Sequence, residues 1–600
     1  MADGGGGMKR GMLVIALLLL APQCLVSAGL SGTVAGDSLL MPTESFVLTR
    51  EDLMERNIHT LDDILQLIPG VAVWREGPHD AYGGFSIEGR GDRGINLLVN
   101  GVPAIDCYTS ESLTRFLPLS RLQCVEVVYS GSPCFSGDLS SRGFINVVLE
   151  EGGREAPASQ IDFTYGTSNR RVRRAWFSTP RAAVSAALAY DEYLQDGVEA
   201  YPAIAHKLLG KCDGRSVLAE LAMQSSAGDD VLLRFQRYED SYYGTLHSDD
   251  EDVRRSGFGS EISYARSGFS GSVTQRVLEM SRLAGTLDER ISGALVRWNG
   301  AFHGIGVRTF ANAEQAAFEN DLWEVNFNPS YRRIEAGITL GGTVPQRVTW
   351  RLGAYGGNHS TVGRYGCGEI ALAKEWSARL SQDIVIARRL RVPSAQELFQ
   401  PELARSIDGE AAAIAGNSSL SPEIADELSL GFRCSGASLS LFGRDERSLV
   451  VVSGDDPAVY RSDGSGRVAG VRTGFAGSRR ILGIDLGLSL GFEGYPERGA
   501  LARGVPSYRG TGELSMRCPI FAKSETLSIK LDSELAGERR WDDSTLGAYH
   551  VLGAAAYLTI MSARVSFEYK NILDERYETV PGYTMPPRHY IIGIFWELLD

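Results

Sequence analysis

The sequence lacks any long apolar run beyond its first 28 residues. Of its 600 residues, 43% are hydrophobic and 22% are charged, so the chain can bury a large core. A membrane-spanning helix needs about 20 mostly apolar residues in a row, and residues 29–600 contain no such stretch. Any insertion of this part of the chain into a membrane would therefore require a closed β-barrel, which satisfies its backbone polar groups internally.

Basic residues and histidines are also scarce. The chain has 60 Lys and Arg against 74 Asp and Glu, a formal net charge of −14, and only 8 His. Binding to nucleic acid depends on clustered Lys and Arg, so this charge argues against such a partner. The sequence has no histidines at metal-ligand spacing, and its Gly-x-Ser-x-Gly match at residues 487–491 lies within an alternating, strand-like stretch rather than at the strand-to-helix turn that a nucleophilic serine needs. We therefore predict that the chain is not an enzyme and does not bind nucleic acid.

Cysteine is infrequent, and the number of cysteines after residue 28 is odd, so they cannot all form disulfides with one another. Seven cysteines follow residue 28, namely Cys107, Cys124, Cys134, Cys212, Cys367, Cys434 and Cys518. In an oxidising compartment an odd number leaves at least one thiol free. A pair among the first three remains open, and the spacings resemble no metal site.

An acidic stretch is the one place where a cation could bind. Carboxylate oxygens are suitable ligands for Ca²⁺, and they are concentrated here at Glu239, Asp240, Asp249, Asp250, Glu251 and Asp252. Their spacing matches no calcium-binding loop, so a solvated loop is the alternative. We expect no resident cofactor, with Ca²⁺ as the only candidate.

The N-terminus has the features of a secretory signal. Lys9 and Arg10 precede the apolar run 12–20, and Val26 and Ala28 are acceptable at the positions that a signal peptidase reads. We predict a signal peptide over residues 1–28, with translation starting at Met8.

Glycine is abundant, and apolar residues alternate with polar or small ones. There are 69 Gly, against about 42 expected at an average usage of ~7%. Period-two alternation is typical of strands, and it covers Leu482 to Phe492 as well as Val184–Tyr190, Val565–Tyr569 and Tyr590–Trp596. A transmembrane barrel alternates in this way, but so does a soluble sandwich or propeller, so the pattern alone leaves both open.

Residues 45–152 have a different pattern. Thr60 and Asp63 form a variant capping box before a short amphipathic helix that Pro69-Gly70 ends. Strand-like segments follow, with Asn100-Gly101 as a tight hairpin turn; they are Val71–Trp74, Phe85–Glu88, Ile95–Val99, Val125–Tyr129 and Phe144–Leu149. We interpret Arg90-Gly91-Asp92 as an internal turn of this α+β unit rather than an adhesion tripeptide.

An ordered set of segments resembles a known family. TLDDILQLIPGVAV, FSIEGRG, INLLVNGVPAID, LQCVEVVYSG and SRGFINVVLEEG resemble, in this order, the plug domain of TonB-dependent outer-membrane receptors. LRVPSAQELF, GNSSLSPEIADELSLGFR and KNILDERYETVPGYTMPPRHYIIGIFW are similar to segments of their barrels.

The resemblance implies a fold and a domain order. We expect a transmembrane antiparallel β-barrel of about 22 strands with an N-terminal α+β plug in its lumen. The predicted parts are a periplasmic leader at 29–44, a plug at 45–152 and a barrel at 153–600, in the bacterial outer membrane.

The resemblance also implies active import of a scarce small solute by a monomer whose partners are TonB, outer-membrane lipid and the solute or metal chelate. A passive channel would lack a folded plug, and an outer-membrane barrel enzyme would need an active-site motif; these are the alternatives.

Haem receptors usually carry a histidine between the two central motifs, and residues 391–416 have none. Cobalamin or a ferric siderophore remains, and the likeness of residues 160–180 to the first strands of cobalamin receptors favours cobalamin.

Two sets of site residues follow from the resemblance. The predicted TonB box, which would add as a strand to a partner sheet, is Asp37, Ser38, Leu39, Leu40 and Met41; an ordinary flexible leader is the alternative. The predicted ligand-binding residues lie on two plug loops and are Trp74, Arg75, His79, Tyr82, Tyr108 and Arg115. If they do not bind ligand, they pack the plug against the barrel.

The chain departs from the family at three plug positions. Glu88 stands where relatives often have arginine, Tyr129-Ser130-Gly131 stands where they have Arg-Gly-Pro, and Asn100 stands where aspartate is usual. Those arginines are thought to lock the plug to the barrel, so the electrostatics of this contact are left open.

Overall fold

The computed structural model describes residues 45–599 apart from short segments. The segments left out are 55, 57, 59, 78–82, 92–93, 107, 110–116, 131–132, 140–141, 151–156, 181, 197, 200–207, 210, 226–228, 244–251, 267, 283–284, 321–327, 402, 408–409, 454–457, 499–503, 521–524 and 542–543. The predicted signal peptide and leader lie outside the described residues. No helix in the described part of the chain is both long and apolar enough to cross a membrane.

Most of the chain forms a closed antiparallel barrel, whose 22 strands we call the wall. The last strand pairs with the first, with Leu599 opposite Ala158, so the sheet has no free edge. The wall strands are Ala158–Gly166, Arg170–Ser178, Val184–Gln195, Cys212–Gln224, Asp230–Tyr243, Asp252–Arg266, Phe269–Arg282, Gly285–Phe302, Ile305–Asn320, Ser330–Val344, Val348–His359, Gly363–Ser377, Leu380–Arg391, Glu423–Cys434, Ala437–Ser453, Ala458–Ile481, Ile484–Glu497, Tyr508–Pro519, Glu525–Ala536, Tyr549–Ile560, Ala563–Lys570 and His589–Leu599.

The two ends of the wall differ in their connections. Tight turns such as 303–304 and 435–436 join strands at the end where the wall begins and finishes. The longer connections at the other end carry a helix, Ala395–Phe399, and four short hairpins, which are Val198–Glu199 with Leu208–Leu209, Leu403–Ile407 with Glu410–Ala415, Arg539–Trp541 with Ser544–Leu546, and Glu578–Val580 with Tyr583–Thr584. Short turns face the periplasm in such barrels and long loops face outward, so we call these the periplasmic and outer ends.

One strand begins later than its alternation predicts. Leu482 continues the apolar pattern, but it lies in a turn with a φ of 52° and is 97% exposed. With Gly483 at φ 85° it supplies the two left-handed residues of a two-residue hairpin turn. The strand therefore starts at Ile484.

The wall has an apolar outside and a charged inside. Large apolar side chains are exposed on its outer surface, for example Phe163, Leu188, Ile262, Val273 and Ile594, whereas Arg174, Arg234, Glu289, Arg389 and Glu568 are buried. In a soluble sandwich the alternation would bury the apolar face. The reversed arrangement is that of a barrel whose outer face meets lipid, and it confirms the membrane-barrel alternative.

The lumen holds the plug, which is built on two sheets. The large plug sheet has five strands in the order Ser45–Thr49, Leu122–Val128, Phe144–Leu149, Asn96–Val99 and Val102–Pro103. The small plug sheet has three, Val71–Arg75, Gly83–Ile87 and Arg90–Gly91. Helices Arg50–Met54, Leu61–Leu65 and Pro133–Ser136 and the 3₁₀ turn Leu119–Arg121 complete it.

An apolar core holds the two plug sheets together. The helix Leu61–Leu65 begins at the predicted capping box, in which Thr60 and Asp63 each accept the other's backbone N–H. Ile64, Phe85 and Val125 come from this helix, the small sheet and the large sheet, and they belong to one buried cluster. The α+β plug inside a closed barrel is thus confirmed.

Candidate solute-binding site

The first predicted ligand-binding segment reaches the outer end of the lumen. Strand Val71–Arg75 ends beside the loop hairpin that contains Thr579. The backbone N–H of Arg75 donates to Thr579 Oγ1 at 3.0 Å, and Thr579 Oγ1 donates back to the Arg75 carbonyl at 3.0 Å. The buried Arg75 guanidinium donates to Asp63 Oδ1 at 3.0 Å. Trp74 meets Trp541 edge to face, with ring centroids 5.4 Å apart.

The second predicted segment lies in a different cluster. Tyr108 is buried, its ring centroid is 5.6 Å from that of Phe318, and its carbonyl accepts the backbone N–H of Gln396 at 2.8 Å. Its own N–H donates to Asp106 Oδ1 at 2.8 Å. Arg75 and Tyr108 therefore tie the plug to the loops and wall in this structure, while Trp74 is half-buried.

The remaining predicted site residues lie outside the described residues. These are His79, Tyr82 and Arg115 on the plug loops and the TonB-box residues 37–41. Their roles, like the ligand contacts of Trp74, Arg75 and Tyr108, stay predictions.

A small cavity of ≈ 40 Å³ lies between the plug and the outer half of the wall. We call it the outer cavity. Plug residues on one side face a polar and aromatic set from the wall and the connection at 392–422; the lining used below consists of Ile95, Asn96, Ile105, Asp138, Tyr331, Arg333, His359 and Arg391. Aromatic surfaces combined with a few fixed polar groups are typical of small-molecule sites.

The charges around the outer cavity are paired. Arg333 donates to both carboxylate oxygens of Asp138 at 3.0 and 3.2 Å, and this pair joins wall to plug. Arg391 forms a second bidentate pair with Glu397 at 2.9 and 3.0 Å. Bidentate pairs of this kind fix side-chain orientation as well as charge, so the cavity has rigid, neutralised walls.

Sequence reasoning missed His359 in this cavity. Its ring lies 4.7 Å from that of Tyr331, and its Nδ1 accepts the backbone N–H groups of Thr361 and Val362 at 3.2 and 3.3 Å. The resemblance directed attention to His79 on a plug loop. His359 ends a wall strand, and only closure of the barrel brings it to the plug.

A calcium site at the predicted acidic stretch stays a prediction. Asp240 is held by Arg255 at 3.1 and 3.0 Å, and Glu239 pairs with Arg215 and Arg237 at 2.5 and 2.8 Å. The side chains of 249–252 lie outside the described part. Within that part, no three His, Cys, Asp or Glu side chains form a group that could hold a metal ion.

Five of the described plug and wall cysteines are free thiols. They are Cys124, Cys134, Cys367, Cys434 and Cys518. Burial raises the pKa of Cys124 to about 11 and that of Cys134 to about 12, which makes both poor nucleophiles. Cys107 lies outside the described residues, so a pair that includes it is not addressed.

Another arginine supplies the plug-to-wall contact that positions 88 and 129 leave open. Arg90, in the tripeptide that resembles an adhesion motif, is buried; it donates to the Tyr129 carbonyl at 2.8 Å and lies 3.0 Å from Glu427 Oε1. Ser130 Oγ also donates to Glu427, at 3.2 Å. Arg90, two positions beyond the arginine expected at position 88, therefore makes the contact between the plug and a wall glutamate.

Glu88 makes the opposite contact. Its carboxylate accepts from Arg472 of the wall at 2.5 Å, and its backbone carbonyl accepts from Arg444 at 2.8 Å. Buried ion pairs are strongly destabilised when one partner is removed. The charge at this position is therefore reversed relative to the family pattern, and the wall supplies the matching cations.

The comparisons with known proteins agree with this architecture. A family model described as the TonB-dependent Receptor Plug Domain matches residues 39–143. No curated protein sequence matches the chain. The siderophore receptor PirA from Acinetobacter baumannii has the same fold at a TM-score of 0.75 and 13% identity, with 93% of this chain and 98% of that chain covered.

Two further solved structures are similar to the same extent. PirA from Pseudomonas aeruginosa aligns at a TM-score of 0.74 and 16% identity, covering 93% of this chain and 100% of that chain. The FrpB iron transporter from Neisseria meningitidis aligns at 0.76 and 10% identity, covering 93% and 99%. At these identities the likeness concerns the fold. The plug, whose sequence matches the plug domain of TonB-dependent receptors, therefore lies inside a closed 22-stranded wall that has the fold of these siderophore receptors and of the iron transporter.

Proposed function

We propose that the chain imports a ferric siderophore across the outer membrane, with energy supplied through TonB. The observation that carries the proposal is the folded plug within the lumen. Solute cannot cross a lumen filled in this way without displacement of at least part of the plug, which argues for gated import over a passive channel.

The strength of the plug-to-wall contact supports a need for external energy. Arg142 pairs with Glu423 at 2.9 Å, Asp138 with Arg333 at 3.0 Å, and Arg121 with Glu220. Breaking one buried pair by losing a partner costs about 3–5 kcal/mol. Thermal motion would rarely break several of these pairs together, whereas a partner that pulls on the plug can do so.

The choice of an iron chelate rests on the outer cavity and on the solved structures of the same fold. Tyr331 and His359 of the outer cavity, and Trp74 beside Trp541 in a separate contact at the outer end, provide ring surfaces and hydrogen-bonding groups for a chelate with aromatic or polar arms. The structures of the same fold are named as siderophore receptors and an iron transporter. Cobalamin stays the second candidate because residues 160–180 resemble the first strands of cobalamin receptors.

The predicted site residues take their roles within this proposal. Residues 37–41 would be the segment that TonB grips, and Trp74, Arg75, His79, Tyr82, Tyr108 and Arg115 would meet the solute at the outer end. Release of Arg75 from Asp63, or of Tyr108 from the wall, would then couple solute contact to the position of the plug.

Uptake by receptor-deficient bacteria carrying this gene tests the proposal. The cells receive a panel of ⁵⁵Fe-labelled siderophores of catecholate and hydroxamate type, and separately labelled cobalamin, with and without TonB. TonB-dependent uptake of one ferric siderophore is the expected result. Uptake of cobalamin alone would transfer the function to the second candidate, and equal uptake of many small solutes without TonB would overturn both.

A further inference from the structure

A second and larger cavity, of ≈ 280 Å³, lies between the plug and the periplasmic end of the wall. We call it the inner cavity. On the plug side it is bounded by Asn100 and Val102, and on the wall side by Ser185, Ala222, Ser272 and Arg297 among others. The wall residues are mostly small, so the space exists because the sequence places short side chains where the plug does not fill the lumen.

The inner cavity extends to the periplasmic rim of the wall. Ala182, Gln224 and Asp230 belong to its lining, they flank the tight turns of that end, and all three are exposed. A solute in this cavity would therefore be close to the periplasm.

A single plug hairpin separates the inner cavity from the outer one. The hairpin consists of Asn96–Val99 and Val102–Pro103, joined by the Asn100-Gly101 turn. Asn96 lines the outer cavity, as does Ile105 just beyond the hairpin, whereas Asn100 and Val102 line the inner one. The two cavities thus lie at opposite ends of one short element.

The hairpin ends in the weakest-bound edge strand of the large plug sheet. This strand is the two residues Val102–Pro103 at the end of the five-strand order, and Pro103 has no N–H to donate. The pairs are Leu98 with Pro103 and Val99 with Val102. The first strand of the hairpin, Asn96–Val99, is internal and also pairs with residues 144–147. A short edge strand opens at lower cost than an internal one.

Two wall arginines hold this edge in place. Arg297 donates to the carbonyls of Gly101 at 2.6 Å, Phe135 at 3.2 Å and Ser136 at 3.3 Å. Arg276, on the neighbouring wall strand, donates to the Ile105 carbonyl. One arginine therefore holds the turn, and the other holds the chain just after the hairpin.

We propose that the edge segment 101–105, which contains strand Val102–Pro103, is the gate between the outer and inner cavities, latched by Arg276 and Arg297, and that the ferric chelate leaves along this side of the wall while the small plug sheet stays in place. The chelate itself rests on the proposed function; the gate does not. Movement of this edge alone would join the two cavities, with no need to remove the whole plug from the lumen.

Conductance across planar lipid bilayers tests the gate with purified full-length receptor, without siderophore or TonB. Arg297→Met removes three hydrogen bonds to plug carbonyls but keeps an unbranched, flexible side chain. We expect ion conductance at least tenfold above that of the unsubstituted receptor. The matched control is Arg539→Met. Arg539 also donates three hydrogen bonds to neutral acceptors, which are Val73 O, Gly504 O and Tyr549 Oη, but it holds the small plug sheet.

A second pair of variants tests the passage itself. Ser272→Phe fills the inner cavity, and we expect at least a tenfold loss of ⁵⁵Fe-siderophore uptake with unchanged binding at the cell surface. The control is Ser292→Phe, because Ser292 lies on the exposed outer face of the next wall strand. It should import at the rate of the unsubstituted receptor.

The outcomes separate the gate from the proposed function. The gate is supported if Arg297→Met conducts ions and Arg539→Met does not. It is overturned if Arg297→Met does not conduct, or if both variants conduct equally. If Arg297→Met fails to insert, Arg276→Met removes the other latch and is read in the same way. Unimpaired import by Ser272→Phe overturns the passage. A receptor that imports no siderophore at all overturns the proposed function, and the conductance comparison still decides on the gate.

Discussion

Two regions of the plug are attached to the barrel in different ways. At strand Val71–Arg75 of the small sheet the cations belong to the barrel: Arg509 donates to the Val71 and Gln66 carbonyls at 2.7 and 2.5 Å, and Arg539 donates to the Val73 carbonyl at 3.0 Å. Beside the large sheet, the plug arginines Arg121 and Arg142 pair with wall glutamates.

This difference predicts unequal sensitivity to substitution. A backbone carbonyl that loses its arginine loses a hydrogen bond, but no buried charge is left behind. A plug arginine that loses its glutamate remains charged in a buried site, and that costs far more. The contacts of Arg121 and Arg142 beside the large sheet should therefore depend on the identity of single wall residues, whereas strand Val71–Arg75 of the small sheet should tolerate the loss of its wall arginines.

The largest effect is expected at Glu423. It accepts from Arg142 at 2.9 Å and from Arg391 at 2.7 and 2.8 Å. Glu423→Leu leaves both guanidinium groups without this partner, and we expect a loss of about 3–5 kcal/mol of plug stability. Urea unfolding in detergent, followed by hydrogen exchange of the large sheet, measures it. Glu423→Gln is the size-matched control, and equal stability of the Leu variant would contradict the argument.

A charge exchange between Glu88 and Arg472 tests an ion pair between the turn of the small sheet and the wall. Glu88→Arg places a cation beside Arg472 and Arg444 and should destabilise the plug. The double variant Glu88→Arg, Arg472→Glu should recover part of the loss, with a coupling energy of about 0.5–3 kcal/mol. A double-mutant cycle on the same unfolding transition gives this value, and strict additivity would mean that the 2.5 Å contact contributes nothing.

A smaller effect is expected where the acceptors are neutral. Arg539→Met removes hydrogen bonds to two carbonyls and the Tyr549 hydroxyl. We expect a loss of about 1.5–3 kcal/mol, typical of hydrogen bonds to a charged group, confined to faster exchange of amides in the small sheet. A loss as large as that of Glu423→Leu would remove the distinction between the two sheets.

The smallest effect compares one glycine of each sheet. Gly89 and Gly101 have φ values of 74° and 79°, and an added Cβ would come no closer than 3.4 Å to its nearest neighbour at either site. Substitution by Ala should therefore cost only the left-handed backbone strain of about 1–2 kcal/mol. If the sheets open separately, hydrogen exchange will rise only in the sheet that carries the substitution. A rise in both sheets for each variant would show that the plug opens as one unit.

Local features of the plug were predictable because their causes are local. The capping box of Thr60 and Asp63 and the left-handed Asn100-Gly101 turn appear where the sequence predicted them. Strand Phe144–Leu149 has the predicted bounds. Leu482 was assigned to a strand in error because alternation alone cannot identify the residue at which a hairpin turn takes over.

The candidate site was less predictable because it depends on contacts distant in sequence. Resemblance identified the plug loops, and Trp74 and Arg75 do lie at the outer end. It did not identify His359, nor that Arg90 would meet Glu427. From the sequence, Glu88 left the plug-to-wall contact at this position open. In the structure it pairs with Arg472, 384 positions along the chain.

By itself, the sequence determined that this protein would form strands with one apolar face, a capped helix and tight glycine turns, since these depend on residues a few positions apart. The tertiary structure decided which face met lipid, which charges were paired and where two cavities remained. Those outcomes depend on barrel closure and register, which bring together side chains hundreds of residues apart, and no local pattern encodes that distance.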